Sequence, residues 1–336
     1  MQINELAEVL AMHPEVEALA RELSKKHHPH FLLDGLRASA QSIILTALHR
    51  QLAKKTTTQP MMIVLDDNNA AQYMYADIKT LMGERDVYFF PCSHRRRQKT
   101  DEALTVQRTE VLTALLGNKA KGERREASPI ILTTPEALAE AVPNPQVLEK
   151  NKISISVGEE LPISMLTEML LNLDFKRVDF VYEPGQFAVR GGIVDVYSFA
   201  HDIPVRIDFF GDEVDSIREF ELETQLSKNK VDSVDIGGQS DEEDMTTIWA
   251  YLPTETLWIS NDFGLMKFKI NSTITDIDAT NVVDKIWQSS TLELGQRSTF
   301  DNHEIVPFDT LPQPTFNKNF ELLIDDLKQR ISEGYK

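Results

Sequence analysis

Four short apolar runs in the first third of the chain are separated by segments with helical spacing, and this alternation constrains the fold most. Phe31-Leu32-Leu33, Met61 to Leu65, Val87 to Phe90 and Ile130 to Thr133 read as strands. Ala38 to Leu52, Ala70 to Met82 and Glu102 to Leu116 carry apolar residues at helical spacing between them. Runs without polar alternation are buried on both faces, and helical crossovers between them make neighbouring strands parallel. The prediction is an α/β layer with a parallel sheet. Asn118 to Ser128, polar and charged, reads as a surface loop.

The pattern changes at Pro143-Asn144-Pro145. Ile153 to Val157 reads as a strand and Pro162 to Leu173 as a helix. From Arg177 to Phe220 strands follow one another, with turns at Pro184-Gly185, Gly191-Gly192, His201-Asp202 and Gly211-Asp212. Val205, Ile207 and Phe209 share one face, and Phe209 and Phe210 point opposite ways. Contiguous hairpins after a helix indicate a small antiparallel α+β domain. Leu226 to Ser240 reads as polar, and Asp241 to Asp244 as a solvated linker. Thr256 to Ile259 reads as a strand and Phe320 to Ile331 as a final helix.

Charge and cysteine usage narrow the function. The 336 residues hold 35 Lys and Arg against 53 Asp and Glu, a net charge of −18. A field of that sign argues against non-specific nucleic-acid coating. Arg95, Arg96 and Arg97, with Lys99, form the clearest basic cluster and could touch DNA or simply begin an exposed loop. Cys92 is the one cysteine, which rules out an internal disulfide and a multi-cysteine zinc site. His27-His28-Pro29-His30 lacks metal-ligand spacing and reads as a solvated turn. No metal or other cofactor is expected, and no membrane span, since no apolar run nears ~18 residues. The acidic start, Met1 to Glu5, does not resemble a signal peptide, so the expected location is cytoplasmic.

One segment comes close to a phosphate-binding loop. Phe31 to Leu33 runs into Gly35-Leu36-Arg37-Ala38-Ser39-Ala40-Gln41-Ser42. The spacing from Gly35 to Ser42 matches G-x-x-x-x-G-K-[ST], but Ala40 stands for the second glycine and Gln41 for the lysine. The ammonium that would meet the terminal phosphates is gone. A surviving nucleotide site and a plain strand-to-helix turn are both open at this point, and no catalytic residue is assigned.

The stretch Gly185-Gln186-Phe187-Ala188-Val189-Arg190-Gly191-Gly192-Ile193-Val194-Asp195-Val196-Tyr197 carries a resemblance. With Pro204 to Phe220, similar to a "RIDFFDDEIDSLR" stretch, and Thr224-Gln225, it resembles the UvrB-homology module at the N-terminus of bacterial transcription-repair coupling factors (the Mfd family). Arg108 to Leu112 and Pro314 to Phe320 also suit that module. The resemblance implies a degenerate P-loop, RecA-like parallel-sheet domain made of residues 1–141 and 226–336. A UvrA-binding α+β domain, residues 142–225, is inserted between them. It implies a non-catalytic module that recruits UvrA for transcription-coupled nucleotide excision repair. The family's ATP-driven DNA translocase and RNA-polymerase-interacting domains lie beyond this module. Through them the parent protein meets RNA polymerase and DNA. Two rival readings stand beside it: a P-loop-type nucleotide-dependent DNA repair enzyme, and an autoinhibitory clamp of the parent translocase.

The matching contact residues are Arg177 and Arg190. Lys176 is added because Asp174-Phe175-Lys176 replaces the family's usual Gly-Tyr before the first arginine. Gly191 and Gly192 would let a partner's backbone come close. Arg190 either meets a partner or pairs with Asp195 or Glu183 across a hairpin. Phe187 is either an interface anchor or core.

Overall fold

The computed structural model describes the chain except residues 1–2, 26–28, 55–58, 84–85, 94–101, 121–127, 239–243, 274–279, 312–315 and 335–336. A seven-stranded parallel sheet forms the larger unit, as the sequence predicts. Its order is Glu304–Pro307, His30–Asp34, Thr291–Leu294, Leu257–Ser260, Met61–Val64, Ile130–Thr133, Val87–Phe90. Leu257–Ser260, from the last third of the chain, lies between Met61–Val64 and Thr291–Leu294. The sheet therefore closes only when both flanks of the inserted unit are present.

Alternation along each strand feeds two apolar layers. Phe31, Leu33, Met61, Ile63, Ile130 and Leu132 pack against helices Pro14–Leu23, Ala40–Ala53 and Asn68–Met82. Met62, Val64, Ile131 and Trp258 face the other way, against helices Glu102–Ala120 and Phe263–Ser272. Helix Asn68–Met82 starts on Asp67, whose side chain caps the Ala70 amide at 2.9 Å. His30 belongs to the first strand rather than to a solvated turn. Its Nδ1 lies 2.8 Å from Thr291 Oγ1 and its ring stacks on Phe300 at 3.9 Å. His27 and His28 lie outside the described residues. The segment read as a loop from Asn118 begins inside helix Glu102–Ala120, and 121–127 are outside the described residues.

The smaller unit is a six-stranded sheet, with a helix on one face. Its order is Ser227–Val231, Glu213–Phe220, Val205–Phe210, Ile193–Tyr197, Gln186–Arg190, Lys176–Arg177. Neighbours are antiparallel except the last pair. Helix Ile163–Asn172 buries Leu166 and Leu170 against Phe187, Val194, Val196, Val205 and Ile207. Phe209 packs against this core, whereas Phe210 is 81% exposed. Pairing continues past Gln225. Ser227–Val231 joins the sheet edge, and Ser233–Gly237 pairs with Lys152–Ser156. The chain enters and leaves this unit side by side, because Val142–Pro143 pairs with Met245–Thr246.

Candidate functional site

The Gly35–Ser42 loop is occupied by the chain itself. The segment after edge strand Glu304–Pro307 lies across it. Phe308 donates its amide to the Asp34 carbonyl at 2.8 Å. Thr310 Oγ1 donates to the Gly35 carbonyl at 2.5 Å and accepts from the Arg37 amide at 3.0 Å. Gly35 has φ +83°, and a Cβ there would lie 1.8 Å from the Phe308 carbonyl oxygen. Ser42 is buried and its hydroxyl turns to Asp77 at 3.2 Å. Ala38 also takes a positive φ, +50°. Gln41 reaches back to the Leu36 carbonyl at 3.5 Å. The Arg37, Ala40 and Gln41 amides, bonded to Thr310 and to the Arg37 and Ala38 carbonyls, and the Ser42 hydroxyl thus already have partners inside the protein.

The inserted sheet offers a different kind of site. Arg177, Val178, Asp179, Phe180, Val189 and Arg190 line an open depression of about 670 Å³. Backbone pairing holds its walls together. Lys176 pairs with Gln186 and Arg177 with Phe187, and the Val178 amide donates to the Phe187 carbonyl at 2.9 Å. Lys176 and Arg177 are exposed, and no side-chain partner of either is found among the described residues. Asp174 enters this edge at φ +62°, a left-handed conformation that suits glycine and is tolerated by aspartate.

Arg190 ends strand Gln186–Arg190. Its Nη2 is paired with Asp195 Oδ2, the cross-hairpin partner foreseen in the sequence. Its Nη1 donates to the Asp179 carbonyl at 3.4 Å, and its guanidinium lies 4.9 Å from the centre of the Phe180 ring. The side chain keeps 35% of its surface exposed. Gly191 holds φ +63° in the turn that follows, and a Cβ on Gly192 would sit 3.0 Å from the Phe209 carbonyl oxygen. Both glycines thus have reasons within the fold itself. Phe187 needs correction as a contact residue. It is fully buried in the core under helix Ile163–Asn172, because it and Val189 alternate onto the apolar face of their strand. A ring with no exposed surface cannot touch a partner.

Phe180 was missed by sequence reasoning. It is 49% exposed, and its only signal was an aromatic shortly before the Pro184-Gly185 turn. Arg95, Arg96 and Arg97 lie outside the described residues. Among the described residues there is no cluster able to hold a metal ion and no helix long and apolar enough to cross a membrane.

Comparison with known proteins bears on this surface. Residues 153–241 match the family model described as the UvrB interaction domain. The chain is 31% identical over 209 residues to the transcription-repair-coupling factor of Bacillus subtilis strain 168, covering 61% of this chain and 17% of that protein. Over these stretches the chain is similar to transcription-repair-coupling factors. The same protein of Staphylococcus haemolyticus strain JCSC1435 is 29% identical over 217 residues, 64% of this chain and 17% of the relative. That of Staphylococcus aureus strain USA300 is 26% identical over 280 residues, 82% of this chain and 22% of the relative. The chain therefore spans about a fifth of the length of these relatives. Both ends of the depression, Arg177 and Arg190, fall inside the matched 153–241 segment.

Proposed function

We propose that the chain is a non-catalytic module that recruits UvrA, through the surface around Arg177 and Arg190, to support transcription-coupled nucleotide excision repair in the cytoplasm. The supporting observation is that two arginines and an exposed aromatic share one open depression inside the segment that matches the UvrB interaction domain. Arginine and aromatic side chains dominate the energetics of protein interfaces. Lys176 adds charge on the adjoining edge strand. The inserted domain, on this reading, runs from the Val142–Pro143 crossing to Gly238, beyond Gln225, because both late strands pair with it. The nucleotide-dependent alternative finds no support in a loop whose amide and hydroxyl are engaged internally. RNA polymerase, DNA and the translocase would be met by other domains of a longer parent.

Titration calorimetry of the 336-residue chain with purified UvrA tests the reading. Wild type binds, and Arg177→Ala and Arg190→Ala each lose about 2 kcal/mol or more if they are hot spots. Absence of binding by the wild type removes the proposal. A rise in melting temperature with ATP and magnesium would favour the nucleotide reading instead.

A further inference from the structure

Arg190 is held by a carboxylate that it does not own alone. Asp195 is 1% exposed and stands in register between Ala188 on one strand and Arg206 on the next. Its Oδ1 accepts from Arg206 Nε at 2.7 Å, and its Oδ2 accepts from Arg206 Nη2 at 3.0 Å and from Arg190 Nη2. One negative charge thus faces two guanidiniums, and the cluster is net positive.

The two arginines differ in what else they do. Arg206 is tied inward: its Nη1 donates to the Gln225 carbonyl at 3.2 Å, and its guanidinium lies 4.8 Å from the centre of the buried Phe220 ring. Its two-point contact already compensates the buried Asp195, which would be costly unpaired. Arg190 opens to solvent, with two of its five N–H groups used in the contacts above. Its bond to Asp195 fixes the guanidinium in place without cancelling its charge. Phe180 supports one face of the group.

We propose that Asp195 is a positioning residue, which presents Arg190 in a fixed orientation to a carboxylate-bearing partner surface, while Arg206 keeps the cluster net positive. This rests on the reading of Arg190 as a contact residue. Preorganised side chains lose less entropy on binding, so the gain shows as affinity.

The test is a double-mutant cycle on the 336-residue chain, with affinity for purified UvrA measured by calorimetry at two salt concentrations. Asp195→Asn keeps the shape and removes the charge. It is expected to weaken binding about tenfold in the wild-type background and to add almost nothing to Arg190→Ala. Full affinity in Asp195→Asn, beside weak binding in Arg190→Ala, overturns the positioning role. So does an equal loss in both backgrounds, which would mean Asp195 acts through the fold. Wild-type-like binding by Arg190→Ala, or none by the wild type, removes the underlying reading and the inference with it. Should circular dichroism show Asp195→Asn unfolded, Arg206→Gln decides. It leaves Asp195 to cancel Arg190, so binding weakens severalfold and its salt dependence flattens. An unchanged affinity and salt slope in that variant overturns the inference.

Discussion

Gly35→Ala tests whether the loop after the first strand is held shut by the chain's own C-terminal segment. Two costs add. The residue sits at φ +83°, and forcing a Cβ into that region costs about 1–2 kcal/mol. The new Cβ would also lie 1.8 Å from the Phe308 carbonyl oxygen, well inside contact distance, so residues 308–310 must move. That breaks three hydrogen bonds: Phe308 amide to Asp34, Thr310 to the Gly35 carbonyl, and the Arg37 amide to Thr310. At about 0.5–1.5 kcal/mol each, these and the strain bring the loss to roughly 3–6 kcal/mol. Urea unfolding gives the total. Hydrogen exchange shows where it acts: protection should fall first in edge strand Glu304–Pro307, which among the described residues pairs with His30–Asp34 alone. A loss under about 1 kcal/mol with unchanged exchange would refute the reasoning, because the strap would then not depend on Gly35.

Two further outcomes follow from burial. Phe187→Ala should cost about 3–5 kcal/mol of stability in urea, since the ring has no exposed surface; an unchanged midpoint with weakened UvrA binding would return it to the interface. Burial pushes the Glu110 carboxyl up to about 7, with the charge of Asp202 adding to the effect and Lys79 opposing it. The folded state then holds the proton more tightly than the unfolded chain, whose Glu titrates near 4.5. Stability is full below that unfolded value and is lost as pH rises from there through about 7, by on the order of 3 kcal/mol. Glu110→Gln should flatten this slope in urea melts at about pH 5 and 8, and a slope unchanged by the substitution would count against it.

The sequence by itself determined the class of each layer. Met61–Val64 and Ile130–Thr133 are legible because every residue is buried, which leaves a continuous apolar run. The hairpins are legible because Val205 and Ile207 alternate with polar residues and glycines mark the turns. The degenerate loop was readable as residue types at a fixed spacing, whereas the two arginines were singled out only through the resemblance. Edges were not legible. Ser227–Val231 is polar and exposed along most of its length, and Glu304–Pro307 buries only Val306, so its short Ile305-Val306 pair carries too little signal. Thr291–Leu294 was hidden by Glu293, a buried carboxylate that accepts from Thr299 Oγ1 at 2.6 Å.

Everything that depends on which strands become neighbours was decided by the tertiary structure. Leu257–Ser260 joins the middle of the first sheet from far along the chain. Thr310 reaches Arg37 across 273 residues to close the loop. Asp195 serves two arginines only because register sets Arg206 opposite it while Arg190 sits in the next strand. Phe187 and Phe180 are both aromatic residues near an arginine. One is core and the other surface because a strand's alternation and a turn's exposure are fixed only when the sheet is assembled and its helix docks on one face.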